Sequence, residues 1–261
     1  MGIDRVAMHF VAGALLVDAG CALRFQGELD GEPIPSFSTA AFAVIDGSGT
    51  SASVVALATP GDSCAEATAW ASLRADHIEA TTPERQQEVA DDQLAWQERV
   101  LPEGAWLVQL QVDTDGRALL RDVSVDLGGT DNDAHVALSL CRSEGNPRAQ
   151  GGTFIADVDC SRAREGDLRL ALDEEAGSLR VDATKDAVTF TDDAGRADGA
   201  LRFDMTFSVC PSLATALQGL GGAFIDLGTD AVDGGDGAAC REACFTDETG
   251  VTRCDVFCDG G

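Results

Sequence analysis

The sequence predicts a mainly β chain with two helices, an α+β protein built on an antiparallel β-sandwich or open barrel and closed by a small disulfide-stapled C-terminal hairpin. Three observations predict it. Short runs with a period of two recur along most of the chain, each bounded by Gly, Asp, Asn or Pro. Residues 63–101 lose that period and become rich in Ala, Glu, Gln, Arg and Leu. Nine cysteines divide into Cys21, alone, and a later set of eight: Cys64, Cys141, Cys160, Cys210, Cys240, Cys244, Cys254 and Cys258.

In chain order, LRFQGEL breaks at Asp30-Gly31, FSTAAFAVI ends at Asp46-Gly47, and SVVALAT ends at Pro60-Gly61. These are two or three strands joined by tight turns. Residues 63–80 and 83–101 form two helices separated by Thr81-Thr82, with Pro83 in the first turn of the second. Trp70, Leu73, His77 and Ile78 share one face of the first, and Val89, Leu94, Trp96 and Val100 part of a face of the second. AWLVQLQV then leads into Asp113-Thr114-Asp115-Gly116, a hairpin signal, and on to ALLRDVSVDL. HVALSLC, TFIADVDC, LRLAL, LRVDA and AVTFT follow as short strands. In LRFDMTFSV, residues 201–209, Leu201, Phe203, Met205, Phe207 and Val209 point one way, and Arg202, Asp204, Thr206 and Ser208 the other. That is a strand with one dry and one wet face. A short helix is expected around LATALQGL, after Pro211. The domain organisation expected is a signal peptide at 1–20, a β-rich domain at 21–218 with the helical insertion at 63–101, a Gly/Asp-rich linker at 219–239, and a Cys-rich hairpin at 240–261.

The terminus reads Cys-x3-Cys-x9-Cys-x3-Cys. The pairs Cys240/Cys258 and Cys244/Cys254 share one centre at Thr249, beside Gly250. A hairpin turning there sets both pairs opposite each other. This holds for two helices, where residues four apart share a face, and equally for two strands. The spacing is similar to that of the α-hairpinin peptides, a resemblance confined to these residues that carries no function with it. Four thiolates also suit zinc, although an exported chain favours oxidation. Cys64, Cys141, Cys160 and Cys210 allow three pairings. A simple meander from 134 to 209 would put Cys141 and Cys160 at opposite ends of the sheet. It therefore predicts Cys160–Cys210 and Cys64–Cys141.

Residues 6–17, VAMHFVAGALLV, are apolar and follow Arg5. This stretch is short for a membrane span and matches a signal h-region. The next residues, Val17-Asp18-Ala19-Gly20-Cys21, resemble the lipobox of bacterial lipoproteins, with Asp18 at a position where Leu is usual. The resemblance implies cleavage before Cys21 and a diacylglycerol on its sulfur. Cleavage after Ala19 with simple secretion, or an unprocessed start buried as a first helix or strand, are the alternatives.

The formal net charge of −27 argues against nucleic acid and against docking on anionic lipid, both of which need a basic face. Tyr is absent and Phe and Trp are few, which argues against aromatic recognition platforms. His9, His77 and His135 are the only histidines, and none belongs to a His-Glu-x-x-His pattern. There is no Gly-x-Ser-x-Gly elbow, phosphate loop or dinucleotide fingerprint, and Gly47-Ser48-Gly49 is read as a turn. Asp113/Asp115, Asp131/Asp133 and Asp230/Asp233/Asp236 offer oxygens for calcium without EF-hand spacing. No cofactor is expected. The sequence thus leads to an exported, lipid-anchored, non-enzymatic binding or structural module of the bacterial cell envelope, with its ligand undefined. The membrane would be a partner only through the anchor. A secreted hydrolase with a dispersed site and a calcium-stabilised adhesive module are the alternatives.

Overall fold

The computed structural model describes residues 22–46, 52–114, 120–129, 134–192, 194–219, 240–246 and 252–258. β1 (Leu23–Gln26) leads into a two-residue hairpin of β2 (Glu28–Leu29) and β3 (Glu32–Pro33). Asp30 and Gly31, at φ 48° and 76°, turn it. Both take the left-handed conformation that Asp-Gly tolerates best. β4 (Ala41–Asp46) and β5 (Ala52–Ala58) pair antiparallel. The two expected helices follow as α1 (Ser63–Glu79) and α2 (Pro83–Val100). Each starts at an oxygen-bearing N-cap, Asp62 and Thr82, whose side chain accepts from first-turn N–H groups.

The remaining strands are β6 (Trp106–Thr114), β7 (Val123–Asp126), β8 (Ala134–Ser143), β9 (Arg148–Gln150), β10 (Thr153–Ile155), β11 (Val158–Glu165), β12 (Asp167–Asp173), β13 (Ser178–Asp182), β14 (Val188–Thr191) and β15 (Ala197–Val209). A third helix, α3 (Pro211–Gly219), closes this part of the chain.

β15 is the hub. Its second half pairs with β13 and its first half with β14, one after the other along one edge. Its opposite edge takes β1 and, over two residues, β4 in parallel. From β14 the sheet runs through β11, β8, β6 and β5 to β4, so the hydrogen-bonded path closes on β15. From β13 a branch runs to β12 and β7. The result is two facing sheets sharing one corner, the sandwich or barrel that the short alternating runs predict.

Alternation along each strand decides what fills the space between the sheets. Leu201, Phe203, Met205 and Phe207 are fully buried, and they meet Val108, Leu110 and Val112 of β6 and Leu138 and Leu140 of β8 in one cluster. Val209 departs from the expected pattern. It is 50% exposed, because here β15 has passed the covering sheet and leads into α3. The outer face of the β13 side stays wet, with Arg180 bonding Asp204 at 2.8 and 2.9 Å. The outer face of the β4-β5-β6-β8-β11 side is covered by helices toward the Cys141 end of β8, while His135 and Ala137 at its other end are exposed. Leu57, Leu107, Cys141 and Cys160 meet Trp70 and Trp96 there, the two indoles 4.7 Å apart. The buried stripe of α1 is Ser63, Ala67, Trp70 and Ala71, whereas Ile78 is exposed. On α2, Gln93 and Gln97 are buried beside Val89, Trp96 and Val100, and Leu94 is only half-buried.

Two expectations about connectivity are corrected. β6 does not form a hairpin with β7; its neighbours are β5 and β8, and β7 crosses to pair with β12 in the other sheet. The predicted disulfides Cys160–Cys210 and Cys64–Cys141 do not form; the bonds are Cys64–Cys210 and Cys141–Cys160. Cys160 does not end a strand. The run TFIADVDC divides between β10 and β11, leaving Cys160 near the start of β11 and directly opposite Cys141 near the end of β8. Their Cα atoms are 4.0 Å apart. Disulfides of this kind are favoured in oxidising, non-cytosolic compartments. No helix among the described residues is long and apolar enough to cross a membrane.

The terminal hairpin consists of strands β16 (Cys240–Thr246) and β17 (Thr252–Cys258), the second of the two forms the spacing allows. Cys240 lies opposite Cys258 and Cys244 opposite Cys254, the nested register that the shared centre requires. Of the expected linker 219–239, only Gly219, the end of α3, is among the described residues.

Candidate functional site

The closed sheet has an open mouth where β6 begins, β8 ends, β11 begins and β14 ends. At this mouth the inward positions change chemistry. Along β8 they run Ala134, Val136, Leu138 and Leu140, all buried, and then Arg142. The cross-strand partners of Arg142 are Trp106 on β6 and Asp159 on β11. Directly opposite residues on antiparallel strands share a face, so these three form a row across the mouth. Ser161, opposite Leu140, adds a hydroxyl.

The β2–β3 hairpin lies over this mouth. Leu29 is buried and plugs the core from above. The hairpin sits so close to β15 that a Cβ on Gly199 would fall 2.2 Å from the Glu28 carbonyl oxygen. Gly199→Ala is therefore expected to lift the hairpin and cost about 1–3 kcal/mol, measured by urea unfolding. An alanine variant as stable as the wild type would show that the hairpin is not held by that contact.

Between hairpin and strand ends lies a cleft of about 350 Å³. Leu29 and Trp106 are its apolar surfaces, and Trp106 is 9% exposed. Its charged lining is Asp30, Glu32, Arg142, Asp159, Asp192, Arg196 and Asp198, five carboxylates against two guanidiniums. Arg142 bonds Glu32 at 3.1 Å, and its Nε is buried without a hydrogen-bond partner among the described residues. Ser161 donates to Asp198 at 2.6 Å. Arg196 donates to Asp192 from its backbone N–H at 2.7 Å and from Nε at 2.6 Å.

The Arg196 backbone N–H, followed by its guanidinium, holds the Asp192 carboxyl below its ordinary range. A depressed carboxylate contributes stability above its unfolded value, and that contribution is lost as pH falls through the folded one. Since the backbone bond is the larger cause, Arg196→Gln is expected to leave the Asp192 midpoint still depressed in an NMR titration. A return to the ordinary carboxylate value would mean that the guanidinium alone sets it.

The residues singled out by sequence lie elsewhere. His135 is exposed on β8 and His77 is half-buried on α1. Asp113 accepts hydrogen bonds from Ser53 and, at 2.8 Å, from Gln111. Cys21, Asp115, Asp131, Asp133, Asp230, Asp233 and Asp236 lie outside the described residues; among the described residues no three His, Cys, Asp or Glu side chains are placed to hold one metal ion. The cleft residues were not singled out because they are scattered from Asp30 to Asp198. The available signal was Arg142 breaking the inward apolar run of β8.

No family model, curated protein or solved structure matches this chain.

Proposed function

We propose that this chain is an exported binding module of the bacterial cell envelope, anchored by a lipid on Cys21, which takes a small polar molecule in the mouth cleft without chemically converting it. The observation that carries this reading is the change of inward-facing residues from apolar to charged where the strands reach the mouth. A concave site with one aromatic wall and a few convergent polar groups suits a small ligand. Ser161 and Asp198 are paired directly, with no imidazole between them to take the hydroxyl proton. The Cys64–Cys210 and Cys141–Cys160 bonds support export, and the lipobox-like Val17–Cys21 segment supports the anchor.

A secreted hydrolase is the second reading, favoured by five carboxylates converging on one cleft. Glycoside hydrolysis needs one carboxyl kept protonated to serve the leaving group. Asp192 is shifted in the opposite direction, which suits only the ionised member of such a pair.

Two measurements test the proposal. A thermal-shift screen of charged small molecules is expected to give ligands that raise the Tm of the wild type and lose their effect in Arg142→Ala and Asp198→Ala. Hits that persist in both variants would place binding elsewhere, and turnover of a hit would favour the hydrolase. Intact mass from the native host is expected to show a diacylglycerol-bearing N-terminus at Cys21. Retention of residues 1–20 would overturn the anchor.

A further inference from the structure

The two disulfides differ in what governs attack by an external thiol. Cys141 and Cys160 are buried between adjacent strands and beneath the helices, 0% and 1% exposed. Cys64 lies half-buried in the first turn of α1, and its partner Cys210 is fully buried immediately before Pro211, the first residue of α3. An incoming thiol therefore meets the Cys64 sulfur first.

The surroundings favour Cys210 as the sulfur that leaves. It stands at the N-terminus of α3, where the helix dipole stabilises a thiolate. Ser212 Oγ lies 3.4 Å from the Cys210 sulfur, and Thr68 Oγ1 lies 3.6 Å from it. Thr68 donates its proton to the Cys64 carbonyl at 2.8 Å. The Ser212 hydroxyl, 2.9 Å from Thr68 Oγ1, therefore carries the proton that can turn toward a developing sulfur anion. Cys64, in the first turn of α1, also meets a helix N-terminus and lies 3.7 Å from the same Ser212 Oγ, so its greater exposure makes it the sulfur attacked, and one further group sets it apart. The Asp62 carboxylate caps this turn, accepting from the Cys64 backbone N–H at 3.1 Å, and its charge disfavours a second anion there.

We propose that Cys64–Cys210 is a thiol–disulfide exchange site for a dithiol reductant, with Cys64 as the attacked sulfur and Cys210 as the leaving thiolate. The reductant's thiolate forms a new S–S bond to Cys64 Sγ. The Cys64–Cys210 bond breaks and its electron pair goes to Cys210 Sγ, which accepts the Ser212 hydrogen bond. The second thiolate of the reductant then displaces Cys64 Sγ. Two electrons have passed, the reductant becomes a cyclic disulfide, and Cys64 and Cys210 take up the two protons released. The bond joins α1 to α3, so exchange loosens the helix layer while the bond between β8 and β11 persists.

The test uses the full folded chain, limiting dithiothreitol at neutral pH, an N-ethylmaleimide quench and peptide mapping. Cys64 and Cys210 are expected to label at least about ten-fold faster than Cys141 and Cys160. Equal labelling, or earlier labelling of Cys141 and Cys160, would overturn the proposal. With 2-mercaptoethanol the mixed disulfide is expected on Cys64 and the free thiol on Cys210; the reverse would overturn the assignment. Ser212→Ala is expected to slow opening several-fold with an unchanged Tm. An unaltered rate would remove the leaving-group argument.

Discussion

Phe203→Ala is expected to cost about 3–5 kcal/mol, among the largest losses available from a single side chain. Phe203 is 1% exposed on β15, at the corner where the two sheets meet. Its ring lies 6.0 Å from that of Phe25 on β1 and 6.4 Å from that of Phe190 on β14. The cost depends on how far the surroundings can collapse into the space left. Here they cannot collapse far, because β15 is hydrogen-bonded along both edges to β1, β4, β13 and β14. The cavity term therefore adds to the lost transfer energy. Urea unfolding should show a lower midpoint with an unchanged slope. Ile155→Ala is the control: that residue is 46% exposed on β10, and its loss should stay within about 0.5 kcal/mol. A Phe203 variant no worse than the control would mean that this corner is not the packed centre of the molecule.

Alternation made β15 readable from sequence, because one dry and one wet face write a period of two into the residues. The helices were readable by composition, and Pro83 fell at the first turn as expected. Their buried faces were readable in part: Trp70, Val89, Trp96 and Val100 are buried as expected. Counting large apolar residues chose Leu73 and Ile78, but α1 packs through Ala67 and Ala71 around Trp70, where small side chains allow close approach. On α2 the buried face includes Gln93 and Gln97, which no hydrophobic count would place inside. Neighbours were harder still. A period of two says which way a side chain points and nothing about which strand lies beside it. β13 and β14 occupy successive stretches of the same edge of β15, and β7 joins the opposite sheet from β6. Only the terminal cysteines escaped this limit, because a shared centre fixes register without knowledge of the fold.

The cleft was hidden for the same reason as the disulfides. Trp106, Arg142 and Asp159 become a row only when β6, β8 and β11 are known to be adjacent. That adjacency also makes Cys141 and Cys160 partners. Their side chains point to the helix-covered face, while those of Arg142 and Asp159, one residue along, point to the mouth. Covalent bond and cleft thus occupy opposite faces of the same pair of strand ends.

Removing the two bridges separately is expected to destabilise the chain unequally. Cys64→Ala with Cys210→Ala should cost about 5 kcal/mol and Cys141→Ala with Cys160→Ala about 3 kcal/mol, on the chain-entropy account of a crosslink. The bridges close separations of 146 and 19 residues, so the first restricts the unfolded chain far more. Each pair of alanines also deletes buried sulfur, a loss the two variants share in large part. Their difference of about 2 kcal/mol therefore reports loop length. Guanidinium unfolding of both variants against the wild type measures it, and an equal or reversed order would show that local packing, not chain entropy, dominates. This order runs opposite to the expected order of reaction with thiol. The two are compatible because they act on different states. Loop closure restricts the unfolded ensemble, whereas attack is set by the exposure of Cys64 and the surroundings of Cys210 in the native state. A bond that contributes most to stability can thus be the one that exchanges first, and measuring both on the same protein separates the two effects.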